Sequence, residues 1–515
     1  MGTNRINPYT LGKNTQGLAN YLKHQFQGQD IAVAIAYDCR NNSKKLAKVV
    51  ADVFSANDIK VYLFSDLRPT PELSFAVRHL DCKCGIVLTA SHNPPEYNGY
   101  KVYWRDGGQL VPPQDGAIIN EIENLDFSDV RFTASEELII PIDKVVDKAF
   151  IDASIANVDF GLTPKTKSDL KIVFTALHGT SITLVPDTLN QAGFTNLNIV
   201  KEQAVPDGNF PTVTSPNPEE PEALKMALEL GEATTADIVI GTDPDCDRLG
   251  IAVRNDAGKL EILNGNQTMV LMTDALLERF RENGFKGNEF IGSTIVSTPM
   301  MNELADSYGV ECKTALTGFK WIAKMIEDYP NQHFIGGGEE SFGYMVGDFV
   351  RDKDAVTASL LACTIAAAAK AQGQTLFERL KELYVQHGFY KETLISLVKK
   401  GQSGAAEIEQ MMSDMRLQPL KEINGVPVIR VEDYQSSEAI DLRTHIKEAI
   451  SIPKSNVLIY YLEDGSKIAA RPSGTEPKIK FYLSVNTRLE NIAAYDKISA
   501  QLDKRIAGIK SALGV

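Results

Sequence analysis

The chain has 515 residues, 43% of them hydrophobic and 23% charged, with six cysteines and a formal net charge of −14. At about 150 residues per domain this length implies three or four domains with ample core. The negative balance, the lack of a basic stripe with interleaved aromatics, and the absence of an apolar run near the roughly 20 residues that span a bilayer exclude nucleic acid and membrane as expected partners.

Met1-Gly2-Thr3-Asn4-Arg5 runs into polar residues without an apolar signal core, so a cytoplasmic location is expected. Strand and helix signals then alternate: a strand over 31–37, a helix from about 43, a strand over 61–64, a helix near 71–80 and a strand over 84–88. That βαβ order predicts a largely parallel sheet. Cys82 and Cys84 form a C-x-C pair with no second pair nearby, and the six cysteines show no disulfide spacing, so both are read as ordinary thiols. The pattern restarts with a strand over 171–176, a helix from about 218 and a strand over 237–240, and again with strands over 290–296 and 333–336. Beyond about 388, strands over 393–398, 428–431, 456–462, 468–470 and 479–485 follow without a helix between each, before a helix over about 491–513.

Ser91, in Thr89-Ala90-Ser91-His92-Asn93-Pro94-Pro95, follows the apolar strand over 84–88, at the carboxyl edge where ligands bind in parallel sheets. The two prolines stiffen the exit and present the hydroxyl from a rigid loop. No G-x-S-x-G elbow surrounds it, and adjacent residues rarely bring a histidine ring onto the preceding hydroxyl. His92 is therefore assigned to phosphate or proton transfer.

Asp243, Asp245 and Asp247 stand at i, i+2 and i+4 after a strand, so a tight loop can aim three carboxylates inward, where they need a cation. Hard oxygen ligands suit Mg²⁺ or Ca²⁺, and Mg²⁺ suits phosphoryl transfer. An EF-hand is excluded because its sixth position is Arg248 and its twelfth Arg254. An aspartyl nucleophile of the haloacid dehalogenase type would leave Ser91 idle. Arg248 offers a fixed cation beside the loop.

Glu339 and Ser341 follow Gly336-Gly337-Gly338, a run that lets the backbone approach a ligand closely. Arg471-Pro472-Ser473-Gly474-Thr475 joins two strands through small residues whose N–H groups and hydroxyls can face one anion, with Arg471 as a bidentate clamp. Neither a Walker loop nor a dinucleotide fingerprint is present.

With these four loops in order, nearly the whole chain resembles the α-D-phosphohexomutase family, in its phosphoglucomutase and phosphomannomutase branch. The resemblance implies an α/β fold class: three similar α/β domains with mainly parallel mixed sheets, plus a smaller C-terminal α+β domain, around a central cleft. The expected divisions are 1–163, 164–266, 267–386 and 387–515. It implies a mutase interconverting hexose 1- and 6-phosphates, with Mg²⁺, an active-site phosphoserine, and glucose 1,6-bisphosphate as intermediate and activator. Glucose is favoured over mannose because Gly-Glu-Glu-Ser-Phe-Gly resembles the glucose or pentose type. The partner is a phosphorylated sugar, and the state a monomer or homodimer.

Carried over by resemblance, Ser91 is the phosphoserine and a metal ligand with Asp243, Asp245 and Asp247, while Lys101 and Arg248 flank the transferring phosphate. Thr317 and Gly318 belong to a sugar-orienting loop, Glu339 and Ser341 to the hydroxyl-binding pair, and Lys353 is a candidate acid or base. Arg471, Ser473, Gly474 and Thr475 match the grip on the phosphate not transferred. One departure is the start: Met1 to Asn7 resembles the stretch that comes after a Gly-Thr-Ala-Gly-x-Arg segment in the family, and a truncated or weakened form is the expectation from it. The competing readings are a phosphopentomutase, a glucose-1,6-bisphosphate synthase-like relative, a sugar-phosphate-binding protein and a metal-dependent phosphatase.

Overall fold

The structure is a computed structural model that describes residues 2, 4–399, 402–473 and 477–514. The chain divides into two compact units, one of 1–292 and 318–378, the other of 293–317 and 379–515. The architecture is α/β.

The first sheet is built from α1 (Pro8–Gln25), β1 (Ala32–Tyr37), α2 (Ser43–Ala56), β2 (Lys60–Phe64), α3 (Thr70–His79), β3 (Cys84–Leu88), β4 (Lys101–Trp104), α4 (Gln114–Glu123), β5 (Ile139–Ile142) and α5 (Lys144–Asn157). Its strand order is β4-β3-β1-β2-β5, parallel except for the antiparallel edge strand β4. Asn7 starts α1 with a capping box to Thr10 and Pro8 at its first turn. Leu11, Leu18 and Leu22 of α1 then pack with Val50 and Phe54 of α2 over Val33, Ile35 and Ile86. Cys84 lies in this core, and burial pushes both the Cys82 and Cys84 thiols upward.

The second sheet uses α6 (Pro164–Asp169), β6 (Ile172–Thr175), α7 (Val185–Gln191), β7 (Leu197–Ile199), α8 (Lys225–Thr234), β8 (Ile238–Thr242), β9 (Leu249–Arg254) and β10 (Leu260–Leu263). Its order is β10-β9-β8-β6-β7, again parallel at the centre and antiparallel from β8 to β9. α8 begins seven residues later than the sequence predicts, because Pro216, Pro218 and Pro221 keep the preceding stretch in turns.

Next come α9 (Gly265–Asn283), β11 (Glu289–Thr294), α10 (Met300–Tyr308), β12 (Glu311–Ala315), α11 (Phe319–Asp328), β13 (His333–Glu339), β14 (Gly343–Val346), α12 (Ala355–Ala371) and α13 (Leu376–His387). In the first unit β11 runs parallel to β13, and β13 antiparallel to β14. The expected role of Gly336-Gly337-Gly338 needs correction. All three lie inside β13, and their missing side chains admit protein rather than ligand: a Cβ on Gly337 would lie 2.2 Å from the Gly292 carbonyl oxygen, and one on Gly338 2.5 Å from that of Gly343.

The second unit carries an antiparallel sheet of β15 (Phe389–Val398), with α14 (Gln402–Leu417), β16 (Glu422–Ile423), β17 (Val426–Asp433), β18 (Glu438–Asp441), β19 (Lys447–Ala449), β20 (Leu458–Leu462), β21 (Lys467–Pro472) and β22 (Lys478–Thr487), followed by α15 (Tyr495–Leu513). The order is β15-β22-β21-β20-β17-β18-β19. α14 interrupts what reads as a run of strands; its buried apolar stripe, Ile408 and Met412, is too thin to show as a period in the sequence. Among the described residues no single helix is long and apolar enough to cross a membrane.

The Gly337 contact generates a test: Gly337→Ala sets a methyl against backbone that has no rotamer to yield, and is expected to cost about 1–3 kcal/mol, read as a lower urea midpoint.

Candidate active site

Three connections occupy the same place in their sheets, between a central strand and its antiparallel neighbour: β3 to β4, β8 to β9, and β13 to β14. They carry Ser91, the aspartates 243–247 and the Glu339–Ser341 turn.

Ser91 adopts φ of 52°, a left-handed conformation that a non-glycine residue holds only when its surroundings dictate it. Its N–H donates to Thr89 Oγ1 at 2.8 Å. The larger restraint is Arg40, which follows β1. Arg40 Nη1 donates to the carbonyls of Pro94 (2.7 Å) and Tyr97 (3.0 Å), and Nη2 to those of Ser91 (2.5 Å) and Asn93. Asp38 faces its Nε at 3.3 Å, and the guanidinium lies 5.1 Å from the Phe210 ring centroid. The sequence reading missed Arg40 because an Asp-x-Arg after a strand has no chemistry of its own until four carbonyls meet it.

The aspartate loop is held by its main chain. Three successive carbonyls, of Pro244, Asp245 and Cys246, accept the N–H groups of Thr180 (2.8 Å), Thr70 (2.9 Å) and Ala355 (3.2 Å). Thr70 opens α3, Ala355 opens α12, and Thr180 opens a short 3₁₀ turn, so each donor is one that a helical segment leaves without an internal acceptor. Gly179 permits the approach, since a Cβ there would lie 2.5 Å from Pro244 Cα.

The three carboxylates are 0, 1 and 2% exposed. Asp243 Oδ1 accepts the N–H groups of Asp247 and Arg248, both at 3.0 Å, and its Oδ2 accepts Ser91 Oγ at 2.8 Å. Asp245 Oδ2 accepts Lys101 Nζ at 2.8 Å and Thr70 Oγ1 at 3.0 Å. Asp247 Oδ2 lies 3.1 Å from Lys353 Nζ and 3.5 Å from Lys101 Nζ. Asp245 Oδ1 and Asp247 Oδ1 are buried without a hydrogen-bond partner. One carboxylate oxygen from each aspartate lies within 4.8 Å of the others. Orphaned anionic oxygens converging in this way fit a hard divalent cation.

The charges are unevenly shared. Burial, then the neighbouring Asp245 and Asp247, push the Asp243 carboxyl well up; burial opposes ionisation of Asp245 too, but the Lys101 ammonium overrides it and holds Asp245 low. Burial disfavours the ammonium forms of Lys101 and Lys353, yet the facing aspartates win and raise both. Arg248 Nη1 is anchored on Glu219, a partner the sequence did not reveal. His92 differs from expectation: its Nδ1 lies 3.3 Å from Ser91 Oγ, because the left-handed turn at Ser91 folds the ring back. Burial, then the Arg248 charge, lower His92 to about 3, so the ring is neutral.

The Glu339–Ser341 turn is tied to the same strand. Leu249 N–H donates to the Phe342 carbonyl at 3.0 Å, and Arg248 bridges to Gly343. Gly343 leaves room for Lys353, whose Cδ would lie 2.3 Å from a Cβ there. Glu339 is buried and accepts the Gly318 N–H at 3.0 Å, while Ser341 is half-buried. The first unit therefore gathers Ser91, His92, Lys101, the aspartates, Arg248, Gly318, Glu339 and Lys353. Thr317, Arg471 and Ser473 belong to the second unit, where Arg471 pairs with Lys480 in the ladder and Ser473 N–H donates to the Lys478 carbonyl at 2.7 Å. Gly474 and Thr475 lie outside the described residues.

Arg40→Ala would leave Asp38 buried without its cation and the Ser91 loop without its donor. A loss of about 3–5 kcal/mol in chemical denaturation is expected, with Arg40→Lys recovering only part of it because an ammonium cannot span four carbonyls.

Three family models match the chain: phosphoglucomutase/phosphomannomutase alpha/beta/alpha domain I over residues 1–129, domain II over 148–258 and domain III over 264–387. A phosphoglucomutase of Staphylococcus aureus (strain MSSA476) is 40% identical over 505 residues, covering 98% of this chain and 90% of that protein. One of Staphylococcus epidermidis (strain RP62A) is 38% identical over 492 residues, covering 94% and 88%. Among solved structures, the exocytosis-sensitive phosphoprotein parafusin, a phosphoglucomutase from Paramecium in its open form, matches with a TM-score of 0.72 at 19% identity, covering 100% of this chain and 94% of that one. A phosphoglucomutase/phosphomannomutase family protein from Burkholderia thailandensis matches at 0.68 and 20%, covering 98% and 94%. Matched along three successive models and at two-fifths identity over almost its full length, the chain belongs to the phosphoglucomutase/phosphomannomutase family.

Proposed function

We propose that this protein is a phosphohexomutase that interconverts a hexose 1-phosphate and its 6-phosphate, glucose being the favoured sugar, with Ser91 as the phosphoryl carrier. The observation that carries the reading is the 2.8 Å hydrogen bond from Ser91 Oγ to Asp243, at a buried triple-aspartate loop. The preference for glucose rests on the phosphoglucomutase relatives and on the Glu339–Ser341 turn.

Asp243, Asp245, Asp247 and Ser91 would hold Mg²⁺, which when bound supplies charge compensation for phosphoryl oxygens. Everything else falls to this chain's own groups. The transfer is chiefly a matter of positioning: a sugar hydroxyl oxygen forms its bond to phosphorus as the Ser91 Oγ–phosphorus bond breaks, and the resulting bisphosphate returns its other phosphate to Ser91. Lys101 and Arg248 flank the phosphoryl group as fixed cations. The proton released by the attacking sugar hydroxyl is the one that Ser91 Oγ takes up as its bond to phosphorus breaks, and Lys353 and the His92 ring, which lies at Ser91 Oγ, are the acid–base groups assigned to carry it. Thr317, Gly318, Glu339 and Ser341 are assigned to the sugar, and Arg471, Ser473, Gly474 and Thr475 to the stationary phosphate.

The test is a coupled assay of glucose 6-phosphate formation from glucose 1-phosphate with trace glucose 1,6-bisphosphate. Ser91→Ala is expected to lower turnover about a thousandfold or more while leaving the thermal midpoint in place; substantial residual mutase activity rejects the assignment. Stripping divalent ions from the wild-type protein is expected to abolish turnover, and added Mg²⁺ to restore it.

A further inference from the structure

We infer that Thr70 is a positioning residue for the cation site, acting through Asp245. The inference rests on the reading of Asp245 as a metal ligand given above. Thr70 is fully buried and separated from Asp245 by 175 positions, yet it makes two bonds to it: its N–H to the carbonyl at 2.9 Å and its Oγ1 to Oδ2 at 3.0 Å.

A threonine at the N-cap uses its hydroxyl to cap the helix, but Thr70 stands one place later. Here α3 has Pro69 at its cap position and no side-chain cap bond, so the Thr70 hydroxyl serves another element. The consequence falls on a particular oxygen. Oδ2 of Asp245 is occupied by the hydroxyl and by Lys101 Nζ, while Oδ1 is buried with no partner. Two donors on one oxygen orient the carboxylate so that the other is left for a cation. Lys101 alone would not hold that plane, because its ammonium also lies 3.5 Å from Asp247 and can swing between the two. The hydroxyl, on a short branched side chain at a helix start, has no such freedom. Sequence separation hides the pair, since Thr-Pro-Glu reads only as the opening of a helix.

The experiment titrates Mn²⁺ into the metal-stripped full chain and reads free Mn²⁺ by electron paramagnetic resonance, which is independent of turnover. Thr70→Val keeps shape and removes the hydroxyl; Thr70→Ser keeps the hydroxyl; Asp245→Asn tests the underlying site. Second-sphere bonds of this kind are typically worth 10- to 100-fold in metal affinity. Mn²⁺ affinity is expected to fall about tenfold or more in Thr70→Val, with the turnover deficit relieved by raised Mg²⁺, and to return in Thr70→Ser. Affinity in Thr70→Val within twofold of wild type, with Asp245→Asn impaired, overturns the role of Thr70. Unchanged affinity in Asp245→Asn overturns instead the reading of the aspartates. Should Thr70→Val fail to fold, Thr70→Ala carries the same comparison, and near-UV circular dichroism decides which variant is read.

Discussion

The architecture of the first unit turns on the burial of three carboxylates in five residues. With oxygens of Asp243, Asp245 and Asp247 within 4.8 Å of one another, each pair would repel, with both ionised, by about 3 kcal/mol or more at an effective dielectric near 20. That is a large share of the stability of an ordinary domain. The fold offsets it from several directions: Lys101 from β4, Lys353 from the segment before α12, and backbone N–H groups of Asp247 and Arg248 within the loop. The remaining unpaired oxygens are of the kind that fit a cation.

Rigidity of that loop has a separate origin. Side chains could be neutralised by mobile lysines, but the main chain is pinned by three N–H donors drawn from three different α/β sections of the chain. Each donor begins a helical segment and has no acceptor in its own helix, so using it for the loop satisfies two needs at once. The dipoles of α3 and α12 also direct their positive ends toward the acidic loop. Arg40 does for the Ser91 loop what these N–H groups do for the aspartates, tying several of its carbonyls to one buried group.

A repeated topology brings the parts together. In each α/β sheet the chain leaves a central parallel strand, makes the functional turn and returns as an antiparallel neighbour. One solution to backbone geometry thus supplies a hydroxyl, a carboxylate cluster and the Glu339–Ser341 turn. The glycines at 265 and 343 serve the close approach this demands: a Cβ on Gly265 would sit 2.1 Å from the Glu340 carbonyl oxygen.

Much of this was written locally. The strand over 84–88, the βαβ alternation and the three short motifs depend on residues adjacent in the chain, and local propensity and spacing suffice to read them. The glycine run at 336–338 shows the limit: permissive backbone is visible in sequence, but whether ligand or neighbouring strand fills the space is not. Likewise His92 met Ser91 only because tertiary contacts impose a left-handed turn, and α14 formed on a buried stripe too thin to register. By itself, then, the sequence determined the class of fold and which short motifs would lie on the turns between strands. Only the tertiary structure decided that Arg40, Thr70 and Glu219 would join them, because a buried donor acquires its meaning from the acceptor that folding brings to it across dozens to hundreds of residues.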